Sequence, residues 1–118
     1  MCGIAGIISK KYIDINLSQL QKLMSNRGPD SFESISGNFN KINYSFYFSR
    51  LSIIDLDKRS NQPFKKFNNI IVFNGEIYNY LELKKELKDQ NFKFNTTSDT
   101  EVLLACYEIW DIKMLNKI

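Results

Sequence analysis

The sequence contains no histidine, and this absence excludes more chemistry than any other feature of its composition. A Cys-His dyad, a Ser-His-Asp triad and a zinc site built with imidazole all require a histidine side chain. Two cysteines, Cys2 and Cys106, are too few for a disulfide framework, so we expect both to be free thiols in a reducing compartment. A cysteine nucleophile in this chain must therefore find a base other than imidazole.

Long apolar runs and clusters of one charge are also missing. No stretch of the sequence has the length of a membrane span, and no cationic start followed by an apolar segment is typical of a secretory signal. The formal charge is only +3, and the lysines of residues 82–89 alternate with acids, which is typical of a solvated helix face. We therefore expect a cytoplasmic protein with no membrane partner and no nucleic-acid partner.

The hydrophobic pattern predicts a mixture of strands and helices in a chain of 118 residues, about the size of one domain with one core. Neither a linker nor an internal repeat marks a domain boundary. Ser98 and Glu101 have the spacing of a capping box at the start of a helix. The predicted elements are a buried strand at 4–9, a helix from Leu17 to near Ser25, a loop at 26–30, a weak strand at 31–36, a turn at Gly37-Asn38, a strand at 42–48, a polar loop at 57–63, a strand at 69–73, a helix through Tyr80, Leu83 and Leu87, a short strand at Phe92 and Phe94, a helix from Ser98 to Trp110, and the start of another helix in the tail.

Cys2 is the residue with the strongest functional expectation. If Met1 is removed, as is usual before a small side chain, Cys2 carries both a thiol and a free α-amino group. The reference pKa of an α-amino group, about 7.7–8.0, suits a general base near neutral pH. A threonine hydroxyl activated by its own N-terminal amine is an established form of this arrangement. Cys106 instead lies in an apolar helical pattern and is expected to be a small buried residue.

Three other candidates each have a structural alternative. Asn74-Gly75 follows a strand, where it could close a hairpin, but the helical pattern after it favours a strand-to-helix turn that can present oxyanion donors. Arg50 interrupts an apolar pattern, and such a residue is more often a surface charge or an ion-pair partner than a ligand clamp. Asp99 could simply favour the first turn of its helix through the macrodipole.

Five runs of residues in a fixed order carry a resemblance to a known family. They are Met1-Cys2-Gly3-Ile4-Ala5-Gly6, Asn26-Arg27-Gly28-Pro29-Asp30, Arg50-Leu51-Ser52-Ile53-Ile54-Asp55, Phe73-Asn74-Gly75-Glu76-Ile77-Tyr78-Asn79 and Ser98-Asp99-Thr100-Glu101. Together they resemble class II glutamine amidotransferase domains of the N-terminal nucleophile hydrolase type, most closely the amino-terminal part of glutamine-hydrolysing asparagine synthetases. The resemblance implies an α+β fold, an αββα sandwich of two antiparallel sheets between helix layers. Residues 1–118 would be the N-terminal, incomplete portion of that domain, truncated before its later strands and without a synthetase domain.

The same resemblance implies a role for each matching residue. Cys2 would be the nucleophile, with Asn74 and Gly75 as oxyanion donors through a side-chain amide and a backbone N–H. Arg50 would hold the α-carboxylate of glutamine, and Glu76 and Asp99 would receive its α-ammonium. Residues 27–30 would form a loop near the glutamine site. The pocket lining would be Leu51, Ser52, Ile53 and Ile54.

The implied function is that of the glutaminase part of an asparagine synthetase. It would hydrolyse glutamine to glutamate and ammonia through a Cys2 thioester, for amidation of aspartate. The alternatives are a catalytically inactive glutamine-binding or scaffold fragment and an amidotransferase domain that serves a different acceptor. We expect no metal and no cofactor in this chain, since ATP and magnesium would belong to the synthetase domain. The expected partners are glutamine and a synthetase domain or subunit that receives ammonia, and a homodimer is also considered.

Overall fold

The first half of the chain forms a three-stranded antiparallel sheet. The structure, a computed structural model, describes residues 2–53 and 56–118. Strand β1 (Gly3–Ser9) pairs with β3 (Ile42–Arg50), which also pairs with β2 (Ser31–Phe39), so the strand order is β1-β3-β2. The register aligns Gly3 with Ser49 on one side of β3 and Ser31 with Arg50 on the other. The sheet therefore brings the start of β1 next to the end of β3.

The hairpin between β2 and β3 differs from the predicted turn. Gly37 lies within β2, and the turn falls at Asn40 and Lys41, whose φ angles are 49° and 63°. Positive φ at both central residues is typical of the tight turns that match the twist of paired strands. A Cβ at position 37 would lie 2.3 Å from the hydroxyl oxygen of Tyr44 across the strand pair. The glycine therefore makes room for an aromatic ring and does not mark the turn.

Helix α1 (Leu17–Met24) begins and ends close to the predicted positions. The Asn16 side chain caps its N-terminus by accepting a hydrogen bond from the backbone N–H of Gln19 at 3.1 Å. Met24 is the buried residue of this short helix, and its side chain lies beside Gly3 of β1. The helix therefore packs against the sheet at the end where Cys2 lies.

The second half of the chain combines a small hairpin with two helices. Strands β4 (Phe64–Lys66) and β5 (Asn69–Ile71) pair antiparallel, and helices α2 (Tyr80–Asp89) and α3 (Asp99–Trp110) contact each other. The first eight residues of α3 are buried. Short 3₁₀ segments lie at Lys58–Ser60 and, in the tail, at Asp111–Asn116, where the sequence predicted the start of a helix. Strand β5 is shorter than the predicted strand at 69–73, and β4 lies where only a loop end was predicted.

A buried carboxylate holds the segment that precedes α3. Glu101 has no exposed surface, and its oxygens accept hydrogen bonds from the backbone N–H groups of Asn95 and Thr96 at 2.7–3.1 Å. Lys66 donates to the same carboxylate at 2.5 Å. Ser98 caps the helix as predicted, by accepting from the N–H of Thr100 at 3.1 Å. Glu101 thus reaches further back than a capping box requires.

The predicted strand at Phe92 and Phe94 is wrong. These residues have no strand pairing, and their rings instead surround the Lys66 ammonium, 4.8 Å and 5.7 Å from the ring centroids. Alternating aromatic residues suit a half-buried strand, but here both rings face the same cation.

Contacts between Cα atoms divide the chain into two compact units. The first contains Met1–Ser52, Asn61–Pro63 and Val72–Asn74, and the second contains Ile53–Ser60, Phe64–Ile71 and Gly75–Ile118. Each unit contains an antiparallel sheet and at least one helix, so the predicted α+β class is confirmed. Within residues 2–53 and 56–118, no helix has the length and hydrophobicity needed to cross a lipid bilayer.

Candidate active site

The thiol of Cys2 lies against the backbone that follows β3. The N–H of Leu51 donates to the Cys2 sulfur at 3.3 Å, and the thiol lies 3.6 Å from the Leu51 carbonyl oxygen, which it can use as an acceptor. The register brings the two residues close, because pairing of Gly3 with Ser49 places Cys2 opposite Arg50, the residue before Leu51. Cys2 is half-buried, and its sulfur is held by the main chain.

The nitrogen of Cys2 points to the residue predicted to stabilise an oxyanion. It donates to Oδ1 of Asn74 at 3.2 Å. In the full sequence this nitrogen is a peptide N–H, and removal of Met1 would convert it to an α-amine at the same place. A carboxamide that accepts through Oδ1 retains two N–H donors on Nδ2. Asn74 is itself exposed, so those donors are available to a ligand.

The loop at 27–30 is bonded to both Cys2 and the end of β3. Arg27 Nε donates to the Cys2 carbonyl oxygen at 3.4 Å, and the Asp30 carboxylate accepts from the N–H of Ser52 at 2.6 Å. Gly28 lies so close to β3 that a Cβ there would be 2.2 Å from the Ser49 carbonyl oxygen. By composition this segment was interpretable as a plain connector, whereas the structure ties it to the surroundings of the thiol.

Arg50, the last residue of β3, is not a surface charge. Arg50 is only 7% exposed, and its Nη1 donates to Oδ1 of Asn61 at 2.5 Å. Asn61 in turn donates through Nδ2 to the Glu33 carboxylate at 2.8 Å. The guanidinium is therefore held at the end of the central strand by a side chain from the polar loop that precedes Pro63.

In the second unit, the structure brings Asp99 to the segment that follows Asn74. Asp99 is 7% exposed, and its Oδ2 accepts from the backbone N–H of Ile77 at 3.2 Å. The two residues that precede Ile77 in the chain, Gly75 and Glu76, are exposed. Asp99 therefore holds the backbone at Ile77, a contact that is separate from any interaction with the macrodipole of its own helix.

The residues predicted to line the pocket differ in their exposure to solvent. Leu51 and Ser52 are half-buried next to Cys2 and Asp30, whereas Ile53 is 76% exposed. Ile54 lies outside the described residues. The assigned roles of all these residues remain predictions.

Sequence reasoning missed Asn61 and Gln62, which it placed in a polar connecting loop. Gln62 is 8% exposed, and its carboxamide makes two hydrogen bonds to the main chain of Phe73, the residue before Asn74. The available signal was two amide side chains directly before a proline, a pattern too common in loops to indicate this role.

The two cysteines differ in burial. Cys106 is fully buried in α3, as predicted, and burial raises the pKa of its thiol to about 11, with a further contribution from the Glu86 carboxylate. Both cysteines are free thiols. Because the thiolate is the reactive form, Cys106 is unsuited to nucleophilic chemistry near neutral pH.

A backbone-bound thiol at the second residue, an amide beside its nitrogen and a buried arginine together define a candidate amide-processing site. The family model for a glutamine amidotransferase domain matches residues 1–118, the whole chain. The chain therefore belongs to the glutamine amidotransferase family, and the family resemblance drawn from the sequence is confirmed.

Individual relatives that the chain matches are named as asparagine synthetases. The chain is 39% identical over 126 residues to asparagine synthetase [glutamine-hydrolyzing] 1 of Bacillus subtilis, an alignment that covers 100% of this chain and 19% of the relative. It is 36% identical over 125 residues to a putative asparagine synthetase [glutamine-hydrolyzing] 2 of Methanocaldococcus jannaschii, with 91% and 24% covered. An asparagine synthetase [glutamine-hydrolyzing] of Brassica oleracea is 35% identical, with 92% and 18% covered. The chain thus spans about a fifth of the length of these curated relatives.

Proposed function

We propose that this chain hydrolyses glutamine to glutamate and ammonia, with Cys2 as the nucleophile. The observation that carries the proposal is the pair of contacts around Cys2. Its sulfur is held by the Leu51 backbone, and its nitrogen lies 3.2 Å from Asn74 Oδ1. With no histidine in the chain, the α-amine released by removal of Met1 is the base closest to the thiol in covalent terms.

The reaction would proceed through a thioester. The amine takes the thiol proton, and the sulfur attacks the side-chain carbonyl carbon of glutamine. Nδ2 of Asn74 and the N–H of Gly75 stabilise the negative oxygen of the tetrahedral intermediate. The protonated amine then returns the proton to the leaving nitrogen, the C–N bond breaks and ammonia departs. Water attacks the thioester carbonyl carbon, the C–S bond breaks and glutamate is released. A proton from the water restores the free thiol.

Recognition of glutamine would use charges at the other end of the substrate. Arg50 offers a planar, permanently charged guanidinium that suits an α-carboxylate, and Asn61 already accepts from it at 2.5 Å. A substrate carboxylate would add a charged acceptor, which forms a stronger hydrogen bond than a neutral amide oxygen does. Glu76 and Asp99 are the acids proposed to receive the α-ammonium, and Leu51, Ser52, Ile53 and Ile54 would line the pocket.

We further propose that the ammonia is passed to a synthetase domain or subunit that amidates aspartate with ATP and magnesium. The named function of the relatives, glutamine-hydrolysing asparagine synthetase, supports this acceptor. On this proposal residues 1–118 form part of one glutaminase domain, and the chain itself needs no metal or other cofactor.

The decisive experiment compares Cys2→Ala with Cys106→Ala, which removes the other thiol. Ammonia release from glutamine should disappear in Cys2→Ala and persist in Cys106→Ala. Intact mass should show that Met1 is absent from the active protein. Turnover by Cys2→Ala, or by protein that retains Met1, would overturn the mechanism.

The same samples distinguish an enzyme from a glutamine-binding fragment. Ligand binding to the native state raises its stability by mass action, so glutamine should raise the melting temperature of both variants. Thermal stabilisation without ammonia release from the unmodified chain would favour the inactive binding fragment.

A further inference from the structure

We propose that Gln62 is a positioning residue that fixes Asn74 for oxyanion stabilisation by holding the main chain of Phe73. This inference rests on the proposed glutaminase function, and it concerns a residue that makes no contact with the reacting atoms. It assigns a role to a segment that looked like a polar connector in the sequence.

The carboxamide of Gln62 pairs with Phe73 as a neighbouring strand would. Its Nε2 donates to the Phe73 carbonyl oxygen at 3.1 Å, and its Oε1 accepts from the Phe73 N–H at 2.5 Å. A carboxamide supplies an uncharged donor and an uncharged acceptor side by side in this way at neutral pH. Phe73 lies two residues beyond the end of β5, so the side chain replaces ladder pairing where the strand has ended.

The bonded residue directly precedes the predicted oxyanion donor. Asn74 follows Phe73 in the chain, and its Oδ1 accepts from the Cys2 nitrogen. Any rotation of the Phe73 peptide unit would move the Asn74 side chain relative to the Cys2 thiol. Oxyanion donors act only when they lie about 2.7–3.1 Å from the developing charge, so this placement must be maintained within a fraction of an ångström.

Gln62 can hold Phe73 because its own segment is held at the other end. The preceding residue, Asn61, accepts from Arg50 at 2.5 Å and donates to Glu33 at 2.8 Å. Both partners belong to the three-stranded sheet. Gln62 is buried, so water does not compete with its carboxamide for the Phe73 backbone. The oxyanion residue is thereby tied to the sheet that contains the predicted carboxylate-binding arginine.

The main test is Gln62→Met, which keeps the length of the side chain and removes both hydrogen bonds. Misplacement of a catalytic group by about 1 Å can cost roughly 10²-fold in rate, so kcat for glutamine hydrolysis should fall between about 10-fold and 100-fold. The Kd for glutamine, measured in a Cys2→Ala background without turnover, should change less than about threefold because Gln62 is not proposed to contact the substrate. Gln21→Met, the same substitution at an exposed position of α1, is the matched control and should leave kcat unchanged.

A second variant keeps the proposal testable if Gln62→Met folds poorly. Gln62→Glu retains an acceptor for the Phe73 N–H, but its carboxylate faces the Phe73 carbonyl oxygen without a proton to donate. The protonated carboxylic acid offers the same donor and acceptor as the amide. The kcat of this variant, divided by that of the unmodified protein at each pH, should therefore rise as the pH falls. A ratio that is constant with pH would contradict the proposal.

A readout independent of turnover separates this inference from the proposed function. In Gln62→Met the Phe73 amide should lose protection from hydrogen exchange, and the side-chain NH₂ resonances of Asn74 should shift. If the unmodified protein hydrolyses glutamine but Gln62→Met keeps kcat within threefold, the inference fails while the function stands. If the unmodified protein releases no ammonia, the function fails, and unchanged Asn74 resonances in Gln62→Met would then refute the positioning role as well.

Discussion

Replacement of Glu101 by glutamine should strongly destabilise the second unit. The carboxylate is fully buried, and Lys66, Asn95 and Thr96 all donate to it. Glutamine preserves the shape but turns one acceptor oxygen into a donor that faces another donor. It also leaves Lys66, whose side chain is only 15% exposed, without its counter-ion.

The expected cost is about 3 kcal/mol, the lower end of the roughly 3–5 kcal/mol lost when one partner of a buried ion pair is removed, because glutamine keeps one acceptor. Trp110, the single tryptophan, ends the helix that contains Glu101 and serves as a fluorescent probe of urea unfolding. The control, Glu108→Gln, changes an exposed acid in the same helix and should alter the free energy of unfolding by less than about 0.5 kcal/mol.

The pH dependence provides an independent check on the same carboxylate. Burial by itself would raise the pKa of Glu101, but the hydrogen bonds from Lys66, Asn95 and Thr96 outweigh it and hold the pKa below its usual value of 4.5. A carboxyl with a lowered pKa stabilises the fold fully above its unfolded pKa, and this stabilisation is lost as the pH falls through the folded pKa. The stability gap between the unmodified chain and Glu101→Gln should therefore be constant from pH 7 to about pH 5 and should narrow in stronger acid. A gap below about 1 kcal/mol at pH 7, or one that does not narrow in acid, would refute the assignment of a buried, charged Glu101.

Three further predictions follow from individual contacts. Asn74→Ala should reduce kcat for glutamine hydrolysis by about 10²–10³ with an unchanged circular dichroism spectrum, and an unimpaired kcat would remove Asn74 from the mechanism. At pH 8, iodoacetamide should modify Cys2 and spare Cys106, whose pKa burial raises to about 11, and peptide mass mapping that finds equal labelling would contradict this. Gly28→Ala should lower the free energy of unfolding by about 3 kcal/mol, the upper end of the overpacking range, because the new Cβ would meet the backbone of Ser49, and a urea midpoint equal to that of the unmodified chain would show that the loop can move aside.

Local signals predicted the elements that depend on neighbouring residues. Ser98 caps its helix as expected, because a capping side chain reaches only two or three residues along the chain. The predictions failed where a distant residue decides the local conformation. Gly37 was assigned to a turn, but it lies within a strand, where the absence of a side chain leaves room for the ring of Tyr44. Phe92 has the spacing of a strand residue, yet its ring packs against Lys66, which belongs to β4.

In the candidate site, too, local sequence runs were informative and contacts between distant residues were not predicted. The resemblance supplied the identities of Cys2, Arg50 and Asn74 because those residues lie within short, recognisable runs. It did not supply the contact between Asn61 and Arg50 or the pairing of Gln62 with Phe73, because each joins positions 11 residues apart through side chains. The residues proposed to react were therefore found from the sequence, while those that hold them in place became apparent only in three dimensions.

The interleaving of the two units along the chain has a consequence for truncation. The polypeptide passes from one unit to the other after Ser52, Ser60, Pro63, Ile71 and Asn74. No single cut separates the units, so neither can be produced as one continuous segment of the sequence. The last of these crossings is the peptide bond between Asn74 and Gly75, which joins the two proposed oxyanion donors. A truncation after Asn74 would therefore separate these two residues and would still leave the first unit joined to parts of the second.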